Sequence, residues 1–368
     1  MSSFAFGTQR ISEENLQHIE ALKEAIESGV RLIDTAPYYT NGSAQKAVAK
    51  VMAYFEDDIR ENLEIVSKYD FSDPKNLQRD LVETLQNLKL NRIETFLIDI
   101  SESSLKRSHD DLLKGIYKAF VELEKEVQEQ RIGGYGITSD GFAKTPEDPF
   151  FLPYEDLKLL AQKAAKEAGS KKDHFTTVEF PFNLLEKDGL ACAKWAKKHN
   201  IRVLTNRALN AQENGLFYRL ADYEEPKEYY HMLNELLEIC ENDQLQALYN
   251  LVEQMDINKH KFGFIGEYDN FLMAQILPHI KKTIQNIAPE VLDTLLEYID
   301  RFLRLYRDMV AYESSKMTRV ALKEHLKDCT ILMQECALEF VMNQEYIDYI
   351  IVGMRKPTYV QEVVSLKR

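Results

Sequence analysis

"RLIDTAPYYTNGSAQKAV", residues 31–48, opens as a short apolar run and then carries side chains that a structural strand does not need. The run ending in Asp34 reads as a buried strand. Tyr38 and Tyr39 follow across a loop opened by Pro37, and the apolar spacing predicts a helix from about Ser43. A carboxylate and two phenols at the lip of a strand, just before a helix, occupy the end of a βα unit where chemistry is usually found.

The same alternation runs through most of the chain. Short runs rich in Val, Ile, Leu and Phe stand at 4–11, 30–34, 63–68, 93–99, 132–138, 175–180, 201–206 and 348–353. Amphipathic stretches such as 13–28, 110–130 and 190–200 separate them, with apolar positions recurring at three and four residues. Eight strands alternating with helices imply parallel βαβ units, and eight such units close most naturally as an α/β (β/α)₈ TIM barrel. A doubly wound open sheet is the rival, but no GxGxxG follows an early strand.

One interval breaks the rhythm. From Gly215 to His325 the sequence offers long helical patterns, such as 289–313, and no convincing strand. Taking out those 111 residues leaves 257, close to the ~250 of a bare barrel. The expected organisation is a barrel from 1–214 and 326–368, with a helical insertion at 215–325 after the seventh strand. The insertion would serve as an outer buttress, as a lid, or as a surface for a protein partner.

Composition bounds the function. The chain has 368 residues, 45% hydrophobic and 29% charged, and a formal charge of -14. That charge argues against nucleic acid or an anionic membrane as the main partner. No apolar run approaches the ~20 residues of a membrane span, and the first residues lack the basic and apolar regions of a signal peptide. Cys192, Cys240, Cys329 and Cys336 share no metal-ligand or CxxC spacing, so they read as buried thiols of a reduced cytoplasm, with no metal site expected.

The strand ends carry Asp34 and Tyr39, then Lys68, then Asp99, then Thr138 and Ser139. Asn206 and Arg207 end the seventh strand, and Arg355 and Lys356 follow the eighth. Taken singly, an Asp there is commonly a helix cap and a Lys a solvated charge. An acid, a phenol and a lysine on consecutive strand ends suggest proton chemistry instead. Phenol has a pKa of ~10 and is a weak acid at neutral pH. A nearby ammonium favours phenolate, and a carboxylate behind the lysine holds the ammonium in place. Asp34, Lys68 and Tyr39 form that relay if their side chains point inward. Tyr39 would then protonate a carbonyl oxygen as hydride arrives at carbon, and hydride requires a cofactor. Independently, two cations at a helix start make a phosphate site.

The stretch "GVRLIDTAPYYTNGSAQKAV" resembles the aldo-keto reductase pattern, in which a strand ending D-T-A leads to the catalytic tyrosine five residues after the aspartate. That offset selects Tyr39 over Tyr38. "IVSK" ending in Lys68, "QRIGGYGITS", "VEFPFNLLE", "LTNRALNA" and "DYIIVGMRKPTYVQEVVSL" are similar to further segments of the family, the fourth to a bacterial-type branch with NR-x-LNA. The resemblance covers about 4–211 and 329–367. It implies a cytoplasmic oxidoreductase that uses NADPH to reduce an aldehyde or ketone. Thr138, Ser139 and Thr177 would lie near the nicotinamide amide, Asn206 and Arg207 along the ring and pyrophosphate, and Arg355 and Lys356 at the 2′-phosphate. Two departures stand out. Asp99 occupies the place of a catalytic histidine, and Thr177 that of a glutamine. Ionised, Asp99 would repel a developing alkoxide. Protonated, it would donate a hydrogen bond, as acids do in family members that reduce conjugated C=C bonds. His109, ten residues on, reads as a helix-start surface residue. The reading from another class is a catalytically silent NADPH-binding barrel, acting as sensor or scaffold through its insertion.

Overall fold

The structure, a computed structural model, describes residues 2–285 and 287–366. Ten strands are present among them: β1 (Ser3–Gly7), β2 (Leu32–Asp34), β3 (Glu64–Asp70), β4 (Ile93–Asp99) and β5 (Ile132–Thr138), followed by β6 (Phe175–Pro181), β7 (Arg202–Asn206), β8 (Asn210–Glu213), β9 (Leu216–Arg219) and β10 (Tyr349–Val352). Eight of them close a parallel barrel in the order β1-β10-β7-β6-β5-β4-β3-β2. Each predicted strand lies within three residues of an observed one at either end, apart from the early end of β1, which stops at Gly7 rather than at Ile11. Helices cover the outer face, among them Leu16–Glu27, Ser43–Met52, Asn76–Leu88 and His109–Gln128. The last is capped by the Ser108 side chain, which accepts from the Asp111 amide, and exposed His109 is its first residue.

The chain divides into two compact units, Met1–Ala208 with Ala337–Arg368, and Leu209–Cys336. The second unit opens with an antiparallel hairpin, β8 with β9, where the sequence pattern gave no strand signal beyond Gly215. Helices follow, including Tyr229–Ile239, Gln246–Asn258 and the 33-residue Pro289–Ala321. These bury a core of their own around Tyr229, Leu236, Leu248, Phe302 and Met309. Arg319 grips Asp222 through both carboxylate oxygens, at 2.6 and 2.5 Å.

The cysteine expectation needs correction. Cys192 and Cys240 are buried thiols, but Cys329 and Cys336 form a disulfide. They stand seven residues apart on either side of the bend that enters the helix Met333–Met342, so the fold brings together a pair whose spacing matches no motif. No described helix is long and apolar enough to cross a membrane.

The barrel interior is layered, because alternate residues of each strand face inward. At the N-terminal end Arg202 pairs with Glu64, donates to Thr95 Oγ1 at 2.9 Å and lies over the Tyr349 ring. Above it, Ala5, Leu32, Val66, Leu97, Leu204 and Ile351 make an apolar layer. Gly136 belongs to this level, and the β5–β6 register shifts between Tyr135 and Gly136. A Cβ on Gly136 would stand 1.9 Å from the Thr177 carbonyl oxygen, a backbone atom that cannot turn away. The apolar floor carries the polar layer above it. Gly136→Ala should therefore cost on the order of 3–5 kcal/mol in urea denaturation. Gly353→Ala, where an added Cβ meets nothing within 4 Å, should stay within about 1 kcal/mol of the parent.

Candidate functional site

The layer at the C-terminal end of the barrel is polar. Its centre is Lys68, which is 2% exposed and lies 2.7 Å from Asp34 Oδ1 and 2.5 Å from Glu179 Oε2. The other oxygen of Glu179 accepts from Asn206 Nδ2 at 2.8 Å. One ammonium thus ties together β2, β3 and β6, and Glu179 extends the tie to β7. Asp99 ends β4, opposite Thr138 in the ladder, and Thr138 in turn stands opposite Glu179.

The tyrosine loop is held by unusual backbone. Thr40 and Asn41 both adopt left-handed conformations (φ 46° and 53°), and Gly42 follows at φ 83°. A β-branched residue in that region costs roughly 1–3 kcal/mol. The Thr40 hydroxyl donates to the Ile11 carbonyl at 2.6 Å, which helps fix it there. This single tight turn ends the loop and starts the helix Ser43–Met52. It sets the Tyr38 and Tyr39 rings edge to face, 5.4 Å apart. The two phenols have different surroundings. Tyr38 is 40% exposed, yet its hydroxyl donates to Asp99 Oδ2 at 2.6 Å. Tyr39 is half-buried, and its hydroxyl makes no hydrogen bond among the described residues.

Electrostatics follow from three carboxylates around one ammonium. Burial alone would lower the Lys68 pKa, but Asp34 and Glu179 override it and hold the ammonium well above the ordinary lysine range. Burial pushes Asp34 up to about 7, against the attraction of Lys68 and with help from Glu179 and Asp99. Asp99 is raised too, by burial, with the Tyr38 hydrogen bond and Lys68 opposing. Tyr39 is held well above the usual phenol value. Burial is the main cause, Lys68 opposes it, and Asp34, Glu179 and Asp99 reinforce it. The phenol is therefore protonated at neutral pH but a weaker acid than free tyrosine, because burial and the carboxylates outweigh the help expected from the Lys68 ammonium.

The remaining sequence candidates divide. Asp34, Tyr39, Lys68, Asp99, Thr138 and Asn206 meet in this layer. Ser139, 3% exposed, turns its hydroxyl to the Ile100 carbonyl at 2.9 Å and accepts from the Gly141 amide. Thr177 is fully buried one pleat below, beside Gly136 and Arg202, so Glu179 rather than Thr177 is the β6 residue that reaches Lys68. Arg207, left-handed at φ 55°, gives its guanidinium to Asp140 at 3.0 Å and to Glu186. Arg355 and Lys356 precede the helix Pro357–Ser365, with Lys356 Nζ 5.8 Å from the Tyr359 ring centre. The sequence reading missed Glu179 and the Tyr38–Asp99 pair. The first had a signal: "TVEF" puts residue 179 on the same strand face as 177, two positions nearer the C-terminal end.

One buried acceptor lacks a partner. Asn206 Oδ1 is shielded from solvent and has no hydrogen bond in the described structure, while its amide nitrogen is committed to Glu179. A primary amide held against Asn206 would satisfy it, so the residues present fit the nicotinamide end of a dinucleotide.

The aldo/keto reductase family model matches residues 3–254. Among solved structures, glycerol dehydrogenase from Gluconobacter oxydans is 16% identical, with 99% of this chain and 85% of that one covered and a TM-score of 0.50. An aldo/keto reductase from Klebsiella pneumoniae solved with NADP and acetate is 13% identical over 99% and 85%, with a TM-score of 0.48. One from Bacillus halodurans is 12% identical over 100% and 86%, at 0.49. No curated protein matches the chain in sequence. With the model spanning more than half its length, the chain belongs to the aldo/keto reductase family.

A direct test of the central ion cluster is Lys68→Met, which leaves Asp34 and Glu179 buried without their counter-ion. It should cost about 3–5 kcal/mol of stability in urea denaturation. Adding Glu179→Gln, which keeps an acceptor for Asn206, should recover at least about 1 kcal/mol of that loss.

Proposed function

We propose that this aldo/keto reductase family member is an NADPH-dependent reductase of aldehydes or ketones, with Tyr39 as proton donor. The observation that carries the reading is the buried Lys68, clamped by Asp34 and Glu179 on the strand ends beside Tyr39. When bound, the cofactor supplies the hydride. Every other task falls to the chain. Asn206 Oδ1 would accept from the carboxamide of the nicotinamide, and Thr138 would stand beside it. Arg355 and Lys356, at a helix start, would receive the 2′-phosphate, which NADH lacks. Arg207 already serves two carboxylates, so it would have to share its guanidinium with the pyrophosphate.

The proton step follows from the site's charge. Tyr39 must give its proton to the oxygen that becomes an alkoxide, and Lys68 must balance the phenolate that remains. Burial first, and then the surrounding carboxylates, keep Tyr39 protonated at neutral pH, so the donor carries the proton that reduction needs. Alcohol oxidation needs the phenolate and hence high pH. The same negative charge weakens the donor's acidity, and removing part of it would speed the proton transfer.

A second reading within enzymes rests on Asp99. It holds the place the family gives to histidine, burial raises its pKa, and a protonated Asp99 beside the nicotinamide would suit reduction of a conjugated C=C bond. A catalytically silent, cofactor-binding barrel gains nothing from the geometry, since the clamp on Lys68 has no binding task.

Tyr39→Phe should abolish aldehyde reduction while leaving NADPH quenching of intrinsic fluorescence nearly intact. Tyr38→Phe should cost less than tenfold. The reverse pattern would overturn the assignment of the donor. In the parent, reduction should rise as pH falls through about 7, where Asp34 takes up a proton and one negative charge leaves the neighbourhood of Tyr39. Asp34→Asn should flatten that limb. Oxidation of an alcohol should instead climb with pH well into the alkaline range.

Asp99→His should raise turnover of simple aldehydes and lower any activity on conjugated enones. Aldehyde turnover that falls on this change would show that the carboxyl, with Tyr38 on it, is suited to carbonyl reduction as it stands.

A further inference from the structure

The helical unit Leu209–Cys336 contains a cavity of about 310 Å³, at the small end of ligand-binding pockets. Its walls include Met255, Phe262, Tyr268, Phe271 and Tyr306, with Lys261 beside them. The rings are packed against one another, with Phe262 5.5 Å from Tyr268 and 5.8 Å from Phe271, and Tyr268 5.3 Å from Tyr306. The two phenols differ in one respect. The Tyr306 hydroxyl donates to the Met255 carbonyl at 2.7 Å. Tyr268 is fully buried, and its hydroxyl has no partner among the described residues.

A buried hydroxyl left unpaired is a standing cost, and phenylalanine would fill the same space without it. The donor therefore points to an acceptor that arrives from outside. Charge adds a second constraint. Lys259 is held by Asp256 at 2.8 Å, whereas Lys261, two residues on and exposed, has no ion-pair partner among the described residues. A wholly apolar guest would leave Tyr268 unpaired, and a strongly polar one would meet a mostly aromatic and aliphatic wall in which Gln254, Asn258 and Lys261 are the polar residues beside the two phenols.

We propose that this cavity binds a small amphipathic carboxylate, with its aryl or alkyl body among the rings and its oxygens taking the Tyr268 hydrogen and the Lys261 charge. This site lies within the helical unit and is independent of the chemistry proposed for the barrel.

The test uses the full chain and 3-phenylpropionate, with 3-phenylpropanamide and acetate as comparison probes, read by calorimetry and by amide hydrogen exchange. Phenylpropionate should bind and slow exchange within 251–276. The amide should bind about tenfold more weakly, and acetate not measurably. Lys261→Met should reduce the preference for carboxylate over amide to within about twofold. Tyr268→Phe should weaken both ring-bearing probes severalfold without lowering the melting temperature. Leu251→Trp, which fills the cavity from its wall, should abolish binding, while Tyr39→Phe in the barrel should not alter it. Absence of binding, protection confined to the barrel strand ends, or affinity unchanged in both Lys261→Met and Tyr268→Phe would overturn the proposal.

Discussion

Everything at the C-terminal end of the barrel depends on one ammonium group buried among carboxylates. Lys68 would be costly to bury alone, and so would Asp34 and Glu179. The burial is tolerable only because the ammonium lies within 2.7 Å of both acids. The arrangement does more than hold strands together. It keeps these groups shielded from water, and burial, with the negative charge left over beside the ammonium, sets the acidity of the neighbouring groups. Asp34 is brought near neutrality and Tyr39 is kept protonated. Stability and reactivity are linked through the same three side chains, so changing either carboxylate alters both.

The fold was legible in the sequence because its signals are local and repeated. Eight short apolar runs, each ending in a polar residue and followed by an amphipathic stretch, admit few closed arrangements other than a parallel barrel. The convergence of Asp34, Lys68 and Tyr39 was legible for the same reason, since strand ends converge in a barrel whatever the loops do. Glu179 was not singled out, although strand alternation puts it level with Lys68. Thr177, the sixth-strand residue to which the resemblance points, lies one layer deeper. The Cys329–Cys336 bond was illegible for a different reason. A spacing of seven residues has no motif meaning, and only the bend before Met333 brings the two sulfurs together. The β8–β9 hairpin escaped notice because "NAQENGLFYR" lacks the apolar alternation of a half-buried strand.

Arg207 illustrates what sequence position cannot give. Its place after the seventh strand suggests a cation waiting for phosphate. In the fold it is drawn into a left-handed turn and paired with Asp140 and Glu186. A guanidinium has five N–H donors, so two carboxylates do not exhaust it, and its Nε remains buried without an acceptor. Any anion that approaches must still compete with the field of those two acids. Under the proposed function, a phosphorylated cofactor would draw also on Arg355 and Lys356, whose setting at a helix start adds backbone N–H groups to their charge.

The pair formed by Tyr38 and Asp99 has a consequence that neither residue has alone. A hydrogen bond from the phenol stabilises the ionised carboxyl, so it works against the burial that raises the Asp99 pKa. The same carboxylate, with burial, drives the Tyr38 hydroxyl far from ionisation. The proton on Tyr38 is thus shared toward Asp99 and is not free for a substrate, whereas the Tyr39 hydroxyl has no such commitment. Of two adjacent phenols, one is committed to a carboxylate. The other is left as the only tyrosine of this loop whose proton is available. The left-handed turn at Thr40 and Asn41 follows the two rings directly and fixes the path from the loop to the helix.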